Sequence, residues 1–100
     1  MQVKLFDIDP TNKYVVVPTA HCYTITPLKE VIDMYGDEAG RVLAYLYYMF
    51  ELDPTLNPYA NMAEELKEEH IIREVLPGIN VIDVPEIDEA KETVDRKSTR

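Results

Sequence analysis

A chain of 100 residues with 46% hydrophobic and 29% charged residues, and 19 Asp and Glu against 10 Lys and Arg, carries a net charge of -9. Leu, Ile, Val and Phe supply 28 of the 100 residues, above the roughly 20% below which highly charged chains stay disordered, so one folded domain is expected. The acidic balance repels phosphate backbones and anionic lipid heads, which argues against nucleic acid and membrane-surface partners.

Cys22 is the single cysteine, so an intramolecular disulfide is excluded and a reducing compartment is expected. The opening MQVKLFDIDP lacks an apolar signal core. The longest wholly apolar run, residues 42–50, is about half of the roughly 18 residues that a spanning helix needs, so a soluble protein is expected.

In chain order, Val3, Leu5 and Ile8 and the run from Tyr14 to Val17 read as two strands of a hairpin, with DPTNK as the turn and Pro18 at the strand end. Thr26-Pro27 opens a first helix, in which Leu28, Val31, Ile32 and Tyr35 form an i, i+3, i+4, i+7 stripe that Gly36 closes. Asp37 is placed to cap a second helix that runs to about Leu52 and stops before Asp53-Pro54. DPTLNPYAN is a loop expected to be ordered, with Tyr59 packed on a neighbouring helix. Asn61, three residues before Glu64, resembles a capping box and opens a third helix that ends at Pro77-Gly78. INVIDV, residues 79–84, is β-prone and is a candidate third strand that would rescue the marginal ribbon. From residue 86 onward only Ile87 and Val94 are large aliphatics, so residues 86–100 read as a solvated tail or linker beside a domain of residues 1–85. The fold class is α+β: three main helices, a short N-terminal β-ribbon and the candidate strand at 79–84.

Clusters that suggest chemistry have simpler explanations. Glu64, Glu65, Glu68, Glu69, His70 and Glu74 are the densest set of potential ligands, but Lys67 sits three before His70 where a di-metal helix needs Glu. Acids near a helix N-terminus also complement its dipole. His21-Cys22 lacks a spaced Asp or Asn to complete a nucleophilic triad, and adjacent side chains diverge. Asp7, Asp9 and Asn12 alternate like calcium ligands, but Pro10 interrupts them and no central glycine or terminal glutamate follows. No phosphate-binding glycine motif is present. The reading is therefore of a non-enzymatic protein with no cofactor and no metal.

The second helix asks for explanation. At 100° per residue, Val42, Leu43, Leu46, Met49 and Phe50 fall in one arc, and Ala44, Tyr45, Tyr47 and Tyr48 fill the rest. Either the ribbon covers the tyrosine face within the chain, or the tyrosines meet another protein, since tyrosine is enriched in interface cores. Tyr35, Tyr45, Tyr48 and Tyr59 are the candidate interface residues.

Residues 42–76, VLAYLYYMFELDPTLNPYANMAEELKEEHIIREVL, resemble a pattern in structural proteins of tailed bacteriophages, particularly crAss-like phages. It comprises an aromatic-rich helix, a loop similar to Asp53-Pro54-Thr55-Leu56-Asn57-Pro58-Tyr59-Ala60-Asn61, and an acid-rich helix ending in an aliphatic pair. The resemblance implies a virion component of the head-to-tail connector or tail rings, passing through the host cytoplasm during assembly, whose partners are other protein subunits. It implies no catalytic residues. A small soluble regulator that binds one host or phage protein is the alternative.

Overall fold

The β-branched run does form a strand. In the computed structural model, which describes residues 6–9, 11–51, 54–55 and 57–98, β2 (Asn12–Pro18) pairs antiparallel with β1 (Phe6–Asp9). Phe6 lies opposite Pro18 and Ile8 opposite Val16, with an irregularity between Ile8 and Asp9. The Asn12 side-chain oxygen accepts a hydrogen bond from the Tyr14 N–H at 2.9 Å, which shapes the turn. Val3 and Leu5 lie outside the described residues. A 3-10 turn, Ala20–Thr24, follows and buries Cys22.

Helix α1 (Thr26–Tyr35) carries Pro27 in its first turn and turns Leu28 and Val31 fully inward. Its cap residue is Ile25, with no side-chain cap bond, so Thr26 lies inside the helix rather than capping it. Gly36, at φ +56, allows the sharp exit through a 3-10 turn (Gly36–Glu38) into α2 (Ala39–Phe50). Neither Asp37 nor any other side chain caps α2. Helix α3 (Glu64–Val75) begins after Ala63, again with no side-chain cap, so the expected box at Asn61 does not form.

Two expectations are corrected. Residues 79–84 form no strand, and among the described residues the sheet has only β1 and β2. Local chemistry overrides the β propensity. Gly78 turns at φ +81, and the Asn80 side chain bonds both the N–H and the carbonyl of Ile82. Asp83 adopts φ +61, and Pro85 then opens a helix. The second correction is that helix, α4 (Pro85–Ser98), which occupies the region read as a tail. Ile87 and Ala90 are fully buried and Val94 nearly so, packed against α1 and α2. Ala90 completes an i, i+3, i+7 stripe that a count of large aliphatics overlooks.

The core gathers Val16, Leu28, Val31, Val42, Leu43, Leu46, Ile71, Val75, Ile87 and Val94 from every layer. Helix α2 is its axis, with β2, α1, α3 and α4 all packed on it. At one point the approach is backbone-close: a Cβ on Gly40 would stand 2.8 Å from Val15 Cγ1 and 3.4 Å from the Val16 carbonyl oxygen. Alanine is the better helix former by about 1 kcal/mol, yet here it must displace the Val15 side chain or the strand that carries it, at about 1–3 kcal/mol. Gly40→Ala is therefore expected to lower the denaturant midpoint. A raised midpoint would show that β2 yields freely.

Candidate functional site

The tyrosines of α2 turn inward because each hydroxyl finds a polar partner there. Tyr45, 1% exposed, donates its O–H to Glu68 Oε2 on α3 at 2.7 Å. Lys91 on α4 reaches the same oxygen at 3.1 Å and places its ammonium 5.8 Å from the Tyr45 ring centre. Three helices thus meet at one carboxylate. Tyr59, from the loop, donates to Glu74 Oε1, and its ring stands edge-on to Tyr48 at 5.5 Å. Tyr47 in turn packs edge-on against Tyr48 at 5.1 Å.

Asn57 organises the loop from inside. Its side-chain N–H₂ donates to the carbonyls of Tyr48 at 2.7 Å and Glu51 at 2.8 Å, and its side-chain oxygen accepts the Tyr59 N–H at 2.9 Å. It is fully enclosed and satisfies carbonyls at the end of α2 that would otherwise be stranded. Arg41 does the same for α3 by donating to the Val75 carbonyl at 3.0 Å.

The expected interface at Tyr45, Tyr48 and Tyr59 is therefore corrected. All three are buried in the chain's own core, and the two-arc division of α2 dissolves: Ala44, Tyr45 and Tyr48 of the second arc are buried, while Met49 and Phe50 of the first are only partly so. Tyr35 alone of the four keeps partial exposure, with its hydroxyl donating to the Asn80 carbonyl at 2.9 Å. Helix periodicity could not reveal the partners Glu68 and Lys91, which lie 23 and 46 residues from Tyr45. Asn57 carried one usable signal, an Asn before Pro in the loop seven residues beyond the end of the apolar helix.

Burial, and then the hydrogen bond to Glu68, push the Tyr45 hydroxyl well above its ordinary range. Burial and the Glu74 bond do the same to Tyr59. Glu68 is held below its usual value of 4.5 by the Tyr45 hydrogen bond, with Lys91 adding to the effect against the opposing influence of burial. The depressed carboxylate stabilises the fold above about pH 4.5, and that contribution is lost as pH falls through the folded value. The raised tyrosines stabilise it below about pH 10, and the contribution is lost as pH rises beyond that, because only the unfolded chain ionises readily. The melting temperature is expected to be level between about pH 5 and 9 and to fall on both sides. Tyr45→Phe should lower the plateau, at about 1 kcal/mol, and shrink both flanks. An unaltered profile in that variant would remove the cluster from the stability account.

Cys22, the described half of the His21-Cys22 pair, behaves as a structural group. Cys22 is fully buried, and burial pushes its thiol up to about 11, the opposite of an activated nucleophile. The side chains of His21 and Asp9 lie outside those described. Glu69 pairs with Arg73 at 3.3 Å along the exposed side of α3. Among the described residues no group of three or more His, Cys, Asp or Glu is placed to hold a metal, and no helix is long and apolar enough to cross a membrane. A shallow cleft of 210 Å³, lined by Pro27, Glu89, Glu92 and Thr93, is smaller than the roughly 300–1,000 Å³ of ligand pockets.

Outside the core the fold leaves a set of large apolar side chains. Met34, Leu66 and Ile82 are each more than half exposed, and Val17, Tyr23 and Met62 are substantially so. The chain matches no protein-family model, no curated protein and no solved structure.

Proposed function

We propose that this protein is a non-enzymatic structural or adaptor subunit of a larger protein assembly. The observation that supports the reading most is a contrast. The aromatic helix α2 buries Tyr45 and Tyr48 within the chain and leaves Tyr47, Met49 and Phe50 only partly exposed, while Met34, Leu66 and Ile82 are more than half exposed on three separate elements with no covering segment from the described chain. Apolar side chains held outward on ordered backbone are what a partner surface uses as anchors. Among the described residues, Tyr45 and Lys91 are engaged in bracing on Glu68, and Tyr59 on Glu74.

The assembly suggested by the resemblance of residues 42–76 is a tailed-phage virion, at the head-to-tail connector or tail rings. Quantitative mass spectrometry of purified particles tests it. A fixed copy number per particle is the expected result, and absence from particles would contradict it. If the protein is absent from particles and stays monomeric with virion proteins, but purifies in a defined ratio with one cytoplasmic protein, the regulator is the correct reading.

A further inference from the structure

The end of α1 and the irregular segment 79–84 form one surface, because the Tyr35 hydroxyl donates to the Asn80 carbonyl at 2.9 Å. Asn80 in turn fixes the backbone at Ile82: its side chain bonds the Ile82 N–H at 3.3 Å and the Ile82 carbonyl at 3.2 Å. Asp83, the one non-glycine residue with positive φ among those described, completes a turn that leaves Ile82 53% exposed. A non-glycine residue in that region is strained and persists only where its surroundings hold it. Met34, next to Tyr35 in the chain, is exposed to the same degree.

The charges that the structure places against the Tyr35 hydroxyl have one sign. Glu86 and Glu38 both act on the Tyr35 hydroxyl, and after burial they are what raises its pKa. Asp83 adjoins Ile82. Between Lys29 and Arg41, and again between Arg73 and Lys91, the sequence contains no Lys or Arg, and Lys29 is paired with Asp33 at 3.1 Å. An apolar centre inside a polar rim is the anatomy of a protein interface.

We propose that Met34, Tyr35 and Ile82, rimmed by Glu38, Asp83 and Glu86, form the docking site for a basic segment of a partner protein that seats an apolar side chain between the acids. Charge chooses the occupant. A second copy would bring an identical acidic rim and a net charge of -9, and phosphate-bearing partners are repelled for the same reason. A cationic segment is steered in and its apolar anchor covers the exposed centre.

The inference rests on the protein-binding reading above, and the test separates the two. The probe is a synthetic amphipathic helix of about 18 leucine and lysine residues, with a glutamate-for-lysine version as control, titrated into the full chain while backbone amide shifts are followed. Shifts are expected to concentrate at residues 33–38 and 79–86. Met34→Ser combined with Ile82→Ser should weaken binding about ten-fold, and Glu38→Gln with Glu86→Gln should reduce its salt dependence. All four positions are partly or well exposed, so the fold is expected to survive, as a retained melting transition would show. Shifts concentrated on α3 instead, equal binding of the control peptide, or unchanged affinity in the Met34 and Ile82 variant would overturn the site. Should the protein prove to be a particle component whose Met34 and Ile82 variant incorporates normally, the site fails while the assembly reading stands. Absence from particles together with localised peptide binding would have the reverse meaning.

Discussion

Deleting residues 86–100 is expected to abolish cooperative folding. By their own burial, Ile87 and Val94 are worth about 1.5–3 kcal/mol each, less than the cost of ordering a helix at about 1–2 kcal/mol per residue, and on that comparison the segment reads as a tail. The comparison omits the other side of the contact. Helix α4 packs on α1 and α2, so its removal returns the sides of those helices that face it to water along with its own stripe. It also takes Lys91 from Glu68. The combined loss is comparable to the roughly 5–15 kcal/mol by which a small domain is stable. Loss of the thermal transition by circular dichroism is the expected outcome. A truncated chain that melts cooperatively within a few degrees of the full one would return residues 86–100 to the status of an appendage.

The second large effect is at Tyr48. A two-faced α2 would tolerate Tyr48→Asp and reject only Leu46→Asp. Tyr48 is 3% exposed, its ring is edge-on to both Tyr47 and Tyr59, and its carbonyl is held by Asn57. An aspartate there buries a charge where the ring stood and forfeits the aromatic packing, a cost of several kcal/mol. Both substitutions are therefore expected to unfold the chain, whereas Val17→Asp, at a position 49% exposed, should change stability by no more than about 0.5 kcal/mol. Denaturant titration of the three variants decides it: a native-like midpoint for Tyr48→Asp would reinstate the outward tyrosine face.

The α+β class, the ribbon, the stripe of α1 and the presence of α2 and α3 were legible because each follows from local periodicity and from breakers such as Gly36 and Pro77-Gly78, while the expected end of α2 at Leu52 lies outside the described residues. The caps were not. Thr26, Asp37 and Asn61 are suitable residues in plausible places, but the helix starts here are tertiary, stabilised by packing. The segment 79–84 escapes a reading by strand preference because the side-chain bonding of Asn80 and the turn at Asp83 outweigh it. Helix α4 was hidden by Ala90, too small to count as a core residue until its neighbours are known. The tyrosines show the limit most clearly. Sequence marks Tyr35, Tyr45, Tyr48 and Tyr59 as unusual, but whether such a residue faces a partner or the interior depends on carboxylates far along the chain. Tyr35 remains at the surface because its hydroxyl meets only the irregular segment beside it.

This chain buries Tyr45 and Tyr48 of its aromatic helix by itself, with α4 as part of the enclosure, and the protein-binding surface proposed for it lies elsewhere. Residue-resolved amide hydrogen exchange on the isolated protein tests this most directly. The account predicts that amides of α2 around Leu43 to Tyr48 and of α4 around Ala90 to Val94 exchange together, at the slowest rate in the chain, through global unfolding. Fast exchange throughout α4 while α2 stays protected, or fast exchange at Tyr45 and Tyr48, would contradict it.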